Sequence, residues 1–299
     1  MTRTQLIQLL RDYAELTKLR VTTLVVLTAW CGYYFGALRS GVSSLSWGLF
    51  HALLGIGLVS GGTAALNEVM ELEIDGHMRR TAARPLPAGR MSRLHGVFAG
   101  MLLTVGGALY LGLALNPLTG WLAFATAVVY LVGYTPLKKV HPICTFVGAF
   151  PGAMPGVLGW TAARGRIEWG ALIMFAIVFF WQFPHFFSIA WLYREDYERG
   201  GIRMLPVVEP DGKSTALRIM LYSLVLVPVT LLPTFFGLSG RLYFVGAIVM
   251  GAALCYFGLR VATVGVPASS PLSKKPARQL LQATVLYLPL LFALMMLNA

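Results

Sequence analysis

Nine stretches of predominantly apolar residues follow one another along this chain, each close to the ~20 residues a helix needs to cross a bilayer's hydrocarbon core. They fall at about 21–38, 47–66, 94–114, 118–134, 143–160, 169–190, 215–237, 241–259 and 279–297. Backbone N–H and C=O groups in lipid must be satisfied within the segment, so runs of this length are helices. The expected fold class is all-α: a polytopic membrane helical bundle of about nine transmembrane helices, forming a single domain over residues 1–299. Residues 1–20 read as an amphipathic helix lying on the cytoplasmic surface. Composition agrees, with 57% of the 299 residues hydrophobic and 12% charged, about half the charged fraction of a soluble domain.

The net charge of +12 would suit a nucleic-acid partner if the bases formed one surface. Instead they lie in short connections between apolar runs, the pattern of topology determinants and lipid head-group contacts. With the N-terminus in the cytoplasm, the inside segments hold 20 Lys and Arg and the outside segments hold 4. That asymmetry sets the orientation, and nine spans put the C-terminus outside. The acids follow the same partition: of twelve, only Glu168 falls outside. Acids contribute little to topology, so their concentration on one side points to function. Cys31, Cys144 and Cys255 lie in or beside apolar runs without CxxC spacing and read as packing residues.

Two long charged loops, 67–93 and 191–214, face the same compartment in this topology; a third, 260–278, reads as a plain linker. The first loop opens with Asn67, Glu71 and Asp75, two steps of four residues, which puts three oxygen-bearing side chains on one helix face. Stacked acids repel unless a cation occupies the face. Oxygen-only ligands favour a hard ion such as Mg2+, commonly shared between carboxylates and substrate phosphates. Arg80 and Arg84, again four apart, would extend this helix by a turn and offer a double guanidinium for phosphate oxygens. Pro85, Pro87 and Gly89 then end it.

The second loop carries Arg194, Glu195 and Asp196 and could supply a second set of metal oxygens. Between the loops, Lys138 and Lys139 follow Pro136 at a span end and could grip phosphate as point charges. His185 lies near the membrane in the run Trp181-Gln182-Phe183-Pro184-His185-Phe186. An imidazole there is expensive enough to suggest a role, whether substrate contact, proton relay, haem-iron ligation or hydrogen-bonded helix packing. A transporter would instead place charges within spans near the midplane.

The run Asn67-x-x-x-Glu71-x-x-x-Asp75, with Arg80-Thr81-x-x-Arg84-Pro85-Leu86-x-x-Gly89, resembles the first aspartate-rich motif of the UbiA superfamily of intramembrane prenyltransferases, glutamate standing for the middle aspartate. The Tyr134-Thr135-Pro136-Leu137-Lys138 run, the Trp181-to-Phe186 run and Asp196-Tyr197-x-Arg199-x-Gly201 through Pro206-Val207 resemble the branch that farnesylates protohaem IX. Phe183 and Arg203 stand where that branch would be expected to have prolines.

This resemblance implies a UbiA-like fold and farnesyl transfer from farnesyl diphosphate to a vinyl group of haem B, giving haem O. Asn67, Glu71, Asp75 and Asp196 would hold Mg2+, with Glu195 beside them in the catalytic set. Arg80, Arg84, Lys138 and Arg194 would bind the diphosphate, and His185 would contact the haem, which is a substrate. It further implies a bacterial inner-membrane location, terminal-oxidase assembly or haem A synthase proteins as partners, and no nucleic acid. The competing acceptor is another aromatic or quinone precursor such as 4-hydroxybenzoate.

Overall fold

The computed structural model describes residues 2–299, and every regular element among them is helical. In chain order these are α1 (Arg3–Leu16), α2 (Leu19–Arg39), α3 (Trp47–Met70), α4 (Leu72–His77), α5 (Arg93–Ala114) and α6 (Pro117–Val128). A π-helical turn, Val129–Tyr134, leads into α7 (Thr135–Leu137), α8 (Cys144–Arg164), α9 (Trp169–Leu192) and α10 (Arg194–Arg199). The last elements are α11 (Leu205–Val208), α12 (Lys213–Phe235), α13 (Arg241–Ala262) and α14 (Pro271–Leu297).

Eight segments are long and apolar enough to cross a membrane: α2, α3, α5, Pro117–Leu137 taken as one, α9, α12, α13 and α14. The remaining expected segment is also a helix, α8, but its glycines and the internal Pro151 and Pro155 lower its hydropathy and keep it outside that set. The chain is a multi-pass membrane protein. By internal contacts it divides into two compact units, the first comprising the chain through Pro136 with Leu158–Arg166 and Arg199–Gly201. The second comprises Leu137–Val157, Ile167–Glu198 and Ile202–Ala299.

In the first unit α3 packs most extensively on α5 and also on α2, and α5 packs on α6. Without a hydrophobic drive between helices in lipid, small residues let backbones approach. At Gly159 on α8, a Cβ would lie 1.9 Å from the backbone oxygen of Ala29 on α2, so only glycine fits.

The amphipathic α1 is capped by Thr2, whose hydroxyl accepts from the Gln5 N–H while the Gln5 side chain accepts from the Thr2 N–H. Its far end is tied down: buried Asp12 pairs with Arg90 at 2.8 Å, and Glu15 pairs with the same guanidinium at 3.2 Å. Tyr13 hydrogen-bonds His95, and Leu16 joins Ala65, Val69, Leu86 and Met91 in one apolar cluster. These contacts hold the 85–95 segment against α3.

In the second unit α9 packs on α12 and α14, and α13 packs on both α12 and α14. The 260–278 connection is not the plain linker expected. α14 already begins at Pro271, Ser273 accepts from the Trp191 indole at 2.9 Å, and the Ala268 N–H donates to Pro210 O at 3.1 Å. Its polar residues stitch the second charged loop to the start of α14.

Gly159→Ala should lower stability by about 1–3 kcal/mol, because the obstacle is backbone and cannot rotate away. A detergent-solubilised variant melting like the parent protein would contradict this packing.

Candidate active site

The first acidic run emerges from the end of α3. The helix breaks at Glu71, whose φ of −99° and ψ of 10° cap α3 and begin α4. The register survives the break: the Glu71 N–H donates to Asn67 O at 3.0 Å and the Asp75 N–H to Glu71 O at 2.8 Å. Asn67, Glu71 and Asp75 thus keep the four-residue spacing, and all three are buried. Glu73 is exposed, as its off-face position requires.

The two arginines do not continue that helix. α4 ends at His77, Met78 turns extended, and the Thr81 hydroxyl donates to Asp75 O at 2.9 Å, closing the helix end. The expected double guanidinium on one face is therefore absent. Arg80 is exposed, whereas Arg84 turns inward and donates from Nη1 to Asp75 Oδ2 at 2.6 Å. Its Nε lies 3.4 Å from Glu68 Oε1.

Three neighbours of this cluster carry weight that spacing alone did not assign. Glu68 is fully buried, and neither of its carboxylate oxygens accepts a hydrogen bond among the described residues. It precedes Glu71 by three residues and Asp75 by seven, the other helical spacing for a shared face. Lys18 comes from the α1–α2 turn, where it holds a left-handed φ of 46°, and its ammonium donates to Asn67 Oδ1 at 2.8 Å. Forty-nine positions of separation hide this contact from any motif.

Thr135 is the third. Its hydroxyl donates to Tyr130 O at 3.0 Å, a carbonyl that the π turn also uses for the Thr135 N–H. The Thr135 oxygen is then an acceptor for Asn67 Nδ2 at 3.1 Å. This fixes the amide with its oxygen turned to Lys18. π-helical turns often mark functional sites, and here the turn delivers the hydroxyl.

The donor set suits a hard cation: carboxylates and an amide oxygen, no sulfur or imidazole, and two unsatisfied oxygens on buried Glu68. Among the described residues no three His, Cys, Asp or Glu side chains are gathered closely enough to hold an ion as they stand. Arg84 and Lys18 supply the positive charge instead.

In the second unit, Lys138 is buried and its carbonyl accepts from the Arg203 N–H at 2.8 Å. Asp196 is buried on α10. Glu195 is exposed and pairs with Lys274 at 3.1 Å. Arg194 donates from Nε to Pro206 O at 2.9 Å and lies 3.4 Å from Glu198, so it braces its own loop. His185 sits on α9, stacked on Trp181, with ring centroids 4.7 Å apart.

A multi-pass helical chain with buried carboxylates, an amide oxygen and inward-turned bases at a span end has the makings of a membrane enzyme acting on diphosphates. The chain belongs to the UbiA prenyltransferase family, whose profile matches residues 24–274, a stretch that runs through both units. It is 63% identical over 290 residues to the protoheme IX farnesyltransferase of Koribacter versatilis (strain Ellin345), covering 97% of this chain and 94% of that one. A solved digeranylgeranylglyceryl phosphate synthase aligns over 97% of this chain and 98% of its own, with a TM-score of 0.77 at 16% identity. A UbiA homologue from Archaeoglobus fulgidus bound to GPP and Mg2+ aligns over 95% and 99%, with a TM-score of 0.57 at 17% identity. At those identities the two structures establish a shared fold.

Arg84→Ala removes the partner of two buried acids, which should cost about 3–5 kcal/mol in chelator. Millimolar Mg2+ should restore part of the lost melting temperature in this variant. No loss in chelator, or no recovery with the ion, would contradict the charge balance described.

Proposed function

We propose that the protein transfers the farnesyl group of farnesyl diphosphate to a vinyl group of haem B, producing haem O for terminal oxidases. The observation that carries this reading is the 63% identity, across nearly the whole chain, to a relative named for that reaction. The buried Asn67–Glu71–Asp75 face supports it chemically. Asn67, Glu71 and Asp75 would hold one Mg2+ and Asp196 a second, with Glu195 on the same loop as an outer carboxylate. When bound, the ions would neutralise the diphosphate and ease its departure.

The chain's own groups do the rest. Arg84 and Lys138 carry their positive charge into buried surroundings, where a charge stabilises a departing diphosphate more strongly than it would in water. Arg80, exposed at the loop surface, meets the diphosphate on entry, and Arg194 keeps the 194–206 loop in shape. The bond from farnesyl C1 to oxygen breaks and its electron pair leaves with the diphosphate. The vinyl π electrons then form the new carbon–carbon bond to C1. Water adds to the remaining carbocation and releases a proton, leaving a hydroxyethylfarnesyl group. No oxidant or reductant is consumed. Apolar helix faces exclude water from the allylic cation until the carbon–carbon bond has formed.

The same reading puts the 67–93 and 191–214 loops on the cytoplasmic side of the bacterial inner membrane, where a charged diphosphate is available. It places the N-terminus in the cytoplasm and, counting α8 as a crossing, the C-terminus outside. Terminal-oxidase assembly or haem A synthase proteins would receive the product.

Asp75→Ala should abolish haem O formation by purified enzyme while membrane insertion is unchanged, and chelation should stop the parent enzyme. Near-normal turnover in either case would rule out the metal role. Offering haem B and 4-hydroxybenzoate in parallel decides the acceptor: product from the second alone would replace haem with a quinone precursor. Topology has its own test. An alkaline phosphatase fused after Ala299 should be active and a green fluorescent protein there dark; the reverse pattern would mean an even number of crossings.

A further inference from the structure

His185 is the one imidazole on α9, and its surroundings determine which of its nitrogens carries the proton. Thr284, on the neighbouring α14, donates its hydroxyl hydrogen to Leu281 O at 2.7 Å. With the single hydroxyl hydrogen on Leu281 O, the 3.0 Å contact with His185 Nδ1 has Nδ1–H donating and the Thr284 oxygen accepting. A neutral imidazole protonated at Nδ1 keeps its lone pair on Nε2. Nε2 has no hydrogen-bond partner among the described residues, and the residue is only partly buried.

The ring is also held in plane. Trp181, one turn earlier on α9, stacks on the imidazole with 18° between planes. Its indole N–H is anchored on Thr284 O at 2.9 Å, so one threonine fixes both rings. On the buried side, Gln182 donates to Ala149 O at 3.0 Å and to Val178 O at 3.2 Å, which locks the helix rotation. A histidine placed only to join helices would have discharged its function at Thr284. It would not need an aromatic plate to orient a nitrogen that bonds nothing.

We infer that His185 Nε2 is an axial ligand to the iron of the porphyrin substrate, with Thr284 as the positioning residue that sets its tautomer. Neutral imidazole is a common haem-iron ligand, and a hydrogen bond on the remote nitrogen fixes ring orientation and raises basicity. The inference rests on the haem-acceptor reading above and adds to it a means of recognition. The iron, remote from the vinyl carbon that reacts, anchors the macrocycle, and no bond to the farnesyl group involves it. Ligation leaves the iron's oxidation state unchanged, in keeping with a transfer that consumes no electrons.

The test is haem B titrated into purified full-length protein, followed by absorption and paramagnetic resonance spectra. The parent protein should show an imidazole-ligated haem. His185→Ala should lose that signature, weaken haem binding about ten- to a hundred-fold, and regain the signature when free imidazole is added. Thr284→Val should retain bound haem but shift the iron–imidazole vibration, and Thr284→Ser should restore it. In the Val variant KM for haem should rise while KM for farnesyl diphosphate holds. If the parent enzyme makes haem O but its bound-haem spectrum is the same in His185→Ala, the ligation is wrong and the acceptor reading stands. If the parent protein neither binds nor farnesylates haem B and prenylates 4-hydroxybenzoate, the acceptor reading fails and the ligation with it.

Discussion

Burying Glu68, Glu71 and Asp75 where α3 gives way to α4 would cost several kcal/mol for each carboxylate left uncompensated, and much of the first unit is arranged around that cost. Arg84 reaches back from beyond α4 to two of the acids. Lys18 reaches in from a left-handed turn to the amide that heads the group. Both arrive on segments that α1 secures: Asp12 and Glu15 hold Arg90, and Leu16 closes the apolar cluster beneath the loop. The surface helix is therefore part of the apparatus that brings positive charge to the acids.

The same polarity makes the cluster ready for a ligand. Arg84 pairs with Asp75 and Glu68 while Lys18 meets the Asn67 amide oxygen, and under the function proposed above a divalent cation would take over part of that compensation. Under that function, the bases released by the ion would meet the diphosphate. On that proposal charge balance links the stability of the loop to its chemistry, because the groups that compensate the acids would also serve the substrate.

Some of this was legible in the amino-acid order and some was not. Asn67, Glu71 and Asp75 could be read because a four-residue spacing survives even a break at Glu71, the backbone bonds carrying the register across. Glu68 lies on the same face at spacings of three and seven, a weaker signal than the repeated fours because a helix's 3.6-residue period also brings neighbouring positions near that face. Arg80 and Arg84 look equivalent in sequence and are not in the fold. The extended Met78 and the Thr81 cap end the helix early, so one guanidinium turns inward and the other stays at the surface. Glu195 and Arg194 read as site residues from charge alone, whereas each has a nearby partner in its own unit.

What the sequence by itself determined is the membrane: apolar runs of span length force helices, because lipid offers the backbone no other partner, while the loop arginines and lysines set an expected orientation. It also announced an oxygen-rich face suited to a hard cation. Only the tertiary structure decided which charges meet. Lys18 and Asn67, Thr135 and Asn67, and Thr284 and His185 lie 49, 68 and 99 positions apart. Local periodicity carries no information at such separations. The packing of helices is what turns a hydroxyl into an acceptor and an imidazole into one with a committed donor and an open lone pair.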